Sequence, residues 1–151
     1  MIRARYLHTN IIARDWKALV HFYESVFGCT RVPPERDYSG NDLEGGTGLP
    51  GVGLAGIHLR LPGLGDSGPT LEIYQYDTLR DAPDPAVNRP GFTHIAFSVE
   101  NVPSAQAEVL AAGGSSVGSV VVVTTPSGDR IEWCYVRDPE GNMIELQSPA
   151  A

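Results

Sequence analysis

FTHIAFSVENV, residues 92–102, lies without a gap on YLHTNIIARDW, residues 6–16, when the chain is shifted by 86 residues. Each stretch reads as a strand carrying one histidine among apolar neighbours, and the shift puts His94 on His8. One imidazole in a strand says little, because a core histidine with satisfied ring nitrogens is commoner than a ligand. Two at equivalent places say more, because an internal repeat marks a structural unit used twice.

The repeat extends outward from these strands. DWKALVHFYESVFG (15–28) sets Trp16, Leu19, Val20, Phe22, Tyr23, Val26 and Phe27 at helical spacing. Asp15 is its expected N-cap, and Gly28 stands where a left-handed C-terminal residue belongs. VPSAQAEVLAAGG (102–114) predicts a second helix with Pro103 in its first turn, and its Gly114 falls on Gly28. CTRVPPER (29–36) leads into a strand broken by two prolines. The stretch from Ser39 to Pro69 holds ten of the seventeen glycines. It is expected to be loop around one strand, VGLAGIHLRL (52–61), with residues 39–53 mobile and Glu44 in an exposed loop. PTLEIYQY (69–76) alternates with period two, Leu71, Ile73 and Gln75 on one face and Glu72, Tyr74 and Tyr76 on the other. SVVVVTTP, DRIEWCYVRD and NMIELQS supply three further strands.

Each half therefore reads as strand, helix, then three strands, an α+β arrangement. The first βαβββ module spans about 5–76, a proline-bearing linker about 77–90, and the second module about 91–148, within one domain of 1–151. The last strands match in chemistry as well. GPTLEIYQ and GNMIELQ each place a glutamate four residues after a glycine, Glu72 after Gly68 and Glu145 after Gly141. Where first and last strands neighbour each other, His8 and Glu72, and likewise His94 and Glu145, share a face. Two imidazoles and two carboxylates form a borderline-hard donor set that suits one divalent first-row metal. The set contains no sulfur, which argues against a closed structural zinc site. His21 and His58 have no counterpart in the repeat. His21 is expected on the helix surface, and His58 on the face that Gly56 and Arg60 share.

Composition narrows the function classes. A net charge of −7 without a Lys/Arg cluster speaks against a nucleic-acid partner. Cys29 and Cys134 follow no ligand spacing and form no disulfide framework, so a reducing, cytoplasmic setting is expected. No segment approaches the ~18 apolar residues of a membrane span, so no membrane partner is expected.

HTNIIARDWKALVHFYESVFG, PTLEIYQY, FTHIAFSVENV and RDPEGNMIELQ together resemble the vicinal oxygen chelate superfamily. That group includes glyoxalase I, methylmalonyl-CoA epimerase, extradiol dioxygenases and the fosfomycin and bleomycin resistance proteins. The likeness covers nearly the whole chain, and DPEGNMIEL is its most specific piece. It implies two tandem βαβββ modules forming a cupped, mostly antiparallel sheet, and a homodimer. It places His8, Glu72, His94 and Glu145 at the metal-ligand positions for one divalent ion (Zn, Ni, Co, Mn or Fe). It further implies a small-molecule substrate with adjacent oxygens, chelated as an enolate or enediolate, in a glyoxalase-like lyase or isomerase. Glu145, or next Glu72, would be the base. Two departures blur the substrate. Tyr76 stands where glyoxalase I members usually carry asparagine, and Glu72 where the epimerases usually carry glutamine. A resistance-type sequestering protein and a ring-cleaving dioxygenase are the alternatives. The intact four-residue set weighs against the first, and the fourth ligand, Glu72, against the second.

Overall fold

Asp15 starts the first helix. Its carboxylate accepts hydrogen bonds from the backbone N–H of Lys17 (3.1 Å) and Ala18 (3.0 Å), two donors that a helix start leaves without intrahelical partners. The computed structural model describes residues 1–81, 83 and 85–150. The chain divides into two compact units, residues 1–81 and 82–151.

In the first unit the order is β1 (His8–Ile12), α1 (Trp16–Phe27), β2 (Thr30–Ser39), α2 (Asn41–Thr47), β3 (Gly53–Arg60) and β4 (Thr70–Tyr76). The sheet runs β1-β4-β3-β2, with β1 parallel to β4 and the other pairs antiparallel. Helix α1 ends at Gly28, whose φ of 67° is the left-handed conformation expected of it. The helix packs on β3 and β4. Trp16, Leu19, Val20, Phe22 and Tyr23 are buried, as are Ile57, Leu59, Leu71 and Ile73 of the strands. Each such side chain taken from water contributes about 1.5–3 kcal/mol. The alternation expected of β4 therefore holds: Leu71 and Ile73 lie in the core, and Glu72 and Tyr74 face away from it.

The second unit repeats the plan with β5 (His94–Ser98), α3 (Val102–Ala111), β6 (Ser115–Ser116), β7 (Val121–Thr124), β8 (Arg130–Arg137) and β9 (Met143–Pro149). Strands run β5-β9-β8-β6, and β7 also pairs with β8. Again the first and last strands are parallel and the remaining pairs antiparallel. Asn101, at the place equivalent to Asp15, caps α3 by accepting from the Ser104 N–H at 2.8 Å. Val102, Val109, Cys134, Val136, Ile144 and Leu146 form the buried core. The turn before β9 is built on Asp138, which is 2% exposed. Its Oδ1 accepts from the backbone N–H of Glu140 and of Asn142, and its Oδ2 from the Asn142 side-chain amide, each at 2.9 Å.

The α+β class with two mostly antiparallel modules stands as expected, with local differences. Residues 41–47 form helix α2 where loop was expected, so Glu44 lies on a helix. Asp42 and Glu44 sit in its first turn, where carboxylates favour a helix start, and Gly48 closes it at φ 70°. Gly114 does not repeat the role of Gly28. The positive φ falls on Gly113, and Gly114 is needed for space, since a Cβ there would stand 2.4 Å from the Arg137 carbonyl oxygen. The strand expected over 119–126 shrinks to β7, an edge piece whose Val121, Val122 and Val123 are exposed.

Removing the cap tests the reading of α1. Asp15→Ala should lower unfolding stability by about 0.5–2 kcal/mol in denaturant titration. An unchanged midpoint would show that the two backbone donors find other partners.

Candidate metal centre

The parallel pairing of first and last strands brings a histidine and a glutamate together in each module. In β1–β4 the register sets His8 beside Thr70 and Asn10 beside Glu72. In β5–β9 it sets His94 beside Met143 and Ala96 beside Glu145. The imidazole thus lies two residues along from the carboxylate's partner, on the same face in both cases. His8 Nε2 is 3.5 Å from Glu72 Oε2, and His94 Nε2 is 3.3 Å from Glu145 Oε2. Neither glutamate is a freely solvated acid, with side-chain exposures of 12% for Glu72 and 18% for Glu145.

Beyond that shared pair the modules differ. His58 stands opposite Glu72 in the antiparallel β3–β4 ladder, and its Nε2 lies 2.8 Å from Glu72 Oε1. Its Nδ1 is 2.8 Å from Thr70 Oγ1. Asn10 Nδ2 donates to Glu72 Oε2 at 2.9 Å. In the second module Tyr135 occupies the place opposite Glu145 and Ala96 that of Asn10. Sequence reasoning grouped Glu72 with His8 and left His58 aside because the repeat has no second copy of it. The signal that could have found it was the hairpin register, which puts residue 58 directly across from 72. His21, by contrast, is exposed on α1 as expected.

Burial and charge act on these side chains in opposite senses. Burial pushes the His58 imidazole below the ordinary histidine range, against the upward pull of the Glu72 charge. Tyr74 is pushed well above the usual phenol range, first by burial and then by its hydrogen bond to the Glu72 carboxylate. Tyr135 is raised by burial and next by the Glu145 charge. Each glutamate therefore has a neutral phenol at hand as a hydrogen-bond donor. His8 Nδ1 is buried and has no hydrogen-bond partner among the described residues. A polar atom left so costs about 1–3 kcal/mol.

A cavity of about 410 Å³ opens in the first module, lined among others by Ile12, Leu49, Val52, Tyr76, Leu79 and Arg80. Strand alternation puts Ile12 on the face of His8, and Tyr76 on that of Glu72. The volume falls in the range of small-molecule sites. Leu49 and Leu79 come from segments without periodicity, so no sequence pattern announced the cavity. Among the described residues no helix is long and apolar enough to cross a membrane.

Comparison with known proteins agrees with this architecture. The family model described as Glyoxalase/Bleomycin resistance protein/Dioxygenase superfamily matches residues 5–146. A glyoxalase family protein from Bacillus cereus superposes with a TM-score of 0.76 at 20% identity, covering 100% of this chain and 96% of that one. The trypanothione-dependent glyoxalase I of Leishmania major gives 0.62 at 20% identity, over 97% of this chain and 87% of that one. A glyoxylase/bleomycin resistance protein/dioxygenase domain from Frankia gives 0.59 at 16% identity, with 99% of each chain covered. No curated protein matches in sequence. At these identities the structural likenesses show the fold.

The placement of the phenols is open to measurement. In an absorbance titration at 295 nm, Tyr135→Phe should remove amplitude from above pH 10, since a raised phenol stays protonated past its ordinary value. Loss of amplitude below pH 10 would contradict the burial and charge described for it.

Proposed function

Because the chain belongs to the glyoxalase/bleomycin resistance protein/dioxygenase superfamily, we propose that it is a metal-dependent lyase or isomerase moving a proton at a carbon next to a carbonyl. The observation that carries this reading is the duplicated pair: an imidazole and a carboxylate within 3.5 Å, at the same register position of both modules. His8, Glu72, His94 and Glu145 would be the ligands of one divalent ion, Zn, Ni, Co, Mn or Fe. The donor chemistry fits such an ion. Neutral imidazole and ionised carboxylate are its ordinary ligands. Bound there, the ion supplies Lewis acidity toward two neighbouring substrate oxygens.

The two glutamates divide the remaining work. Glu72 accepts from Asn10 and lies against His58, so its carboxylate is fixed and suited to holding. Glu145 has Ala96 in place of the amide and Tyr135 in place of the imidazole, so its carboxylate is less restrained and suited to taking up and returning a proton. The apolar cavity beside Ile12 and Tyr76 offers room for the body of a small substrate away from the reacting carbon. The protein would act as a homodimer in the cytoplasm. The exposed valines of edge strand β7 support pairing, because an unprotected apolar edge favours association.

Glu145→Gln keeps the size of the side chain and removes its basicity. Turnover should fall on the order of 10²–10⁴-fold while the metal stays bound. His94→Ala should instead weaken metal binding and lower activity together, as measured by metal affinity and rate. The assay is incorporation of deuterium from D₂O at the acidic carbon of α-hydroxy-carbonyl or acyl thioester compounds. A compound that binds tightly yet never acquires label or changes structure would favour sequestration over catalysis. Light scattering at micromolar concentration should give a dimeric mass, and a monomeric one would remove the dimer.

A further inference from the structure

Glu72 faces two imidazoles, whereas Glu145 faces one and a phenol. We propose that His8, His58 and Glu72 form a divalent-metal site complete within residues 1–81, with His58 as a donor that the repeat does not duplicate. The proposal rests on the reading that this chain takes a divalent ion, and it changes which side chains capture that ion first.

The geometry is that of donors already gathered. The ligand atoms of the three residues lie within 4.8 Å of one another. A tetrahedral ion with bonds of ~2.0–2.2 Å holds its donors about 3.3–3.6 Å apart, so a pair at the 4.8 Å limit must close by about 1 Å. The rings of His8 and His58 stand edge to face with centroids 5.4 Å apart. Two imidazoles on one tetrahedral ion have centroids separated by about 5 Å at the same bond lengths. His58 is also held from behind. Its Nδ1 meets the Thr70 hydroxyl at 2.8 Å, which turns Nε2 toward Glu72. An imidazole that binds a metal typically engages its other ring nitrogen in such a bond, which fixes ring and tautomer. Asn10 steadies the carboxylate in the same way. Two nitrogens and a carboxylate leave further positions free for substrate oxygens or other donors, and the set suits Zn, Co, Ni, Mn or Fe.

The test uses the full chain, stripped of metal and titrated with Co²⁺ by calorimetry and visible absorption, with circular dichroism confirming the fold. The double variant His94→Gln/Glu145→Gln should still bind one Co²⁺ per chain, more weakly than the unmodified protein. Adding His58→Gln to it should abolish that binding. His58→Gln alone should weaken binding by at least about tenfold, and Thr70→Val, which removes only the supporting hydroxyl, by roughly 10–100-fold. The Thr70 variant keeps the question answerable if His58→Gln does not fold. The proposal is overturned if the double variant binds no Co²⁺, or if adding His58→Gln leaves its affinity unchanged. The four-residue reading fails separately, if the double variant binds as tightly as the unmodified chain.

Discussion

The parallel pairing of the first strand of each module with its last is what the rest of the structure depends on. Parallel neighbours cannot be joined by a tight turn, so the chain must leave the sheet and return. Helices α1 and α3 begin that excursion, and their apolar faces cover one side of each sheet. The other side is left for polar residues, and the same pairing places an imidazole two residues from the carboxylate's partner. Core and site are therefore consequences of one arrangement, since the alternation that sends Leu71 and Ile73 inward sends Glu72 outward.

The modules share this frame and differ in what they hang on it. Around Glu72 the structure sets His58, Asn10 and Tyr74; around Glu145 it sets Tyr135 and Ala96. A carboxylate with several partners of fixed geometry is held more firmly than one with fewer. A duplicated unit can thus give one carboxylate two different surroundings by substitutions at single register positions, with no change of fold.

Much of this was legible in the sequence, for physical reasons. The helices showed through a 3.6-residue period and their Asp15 and Gly28 punctuation, and β4 through its period of two. The pairs His8–Glu72 and His94–Glu145 showed because the repeat doubled a weak signal. What stayed hidden depended on one copy alone. His58 joins the cluster only through the hairpin register of β3 and β4, which no repeat reinforces. Helix α2 was hidden because glycines at 45 and 46 masked the acidic first turn that starts it. The role of Gly114 is steric, set by the approach of the Arg137 carbonyl across the chain, and no local pattern records that approach.

The turn built on Asp138 has a consequence for how this protein can vary. One buried carboxylate gathers three donors from Glu140 and Asn142 and delivers the chain to the first residue of β9. Side chains on a strand alternate, so gaining or losing one residue there would carry Glu145 to the helix-covered side and push Ile144 and Leu146 out. The connection between β8 and β9 is thus restrained in length as well as in its Asp138 and Asn142 side chains. Surface loops usually allow changes of both kinds. The phrase DPEGNMIEL reads as one unit because the distance from Asp138 decides on which side of the sheet Glu145 stands.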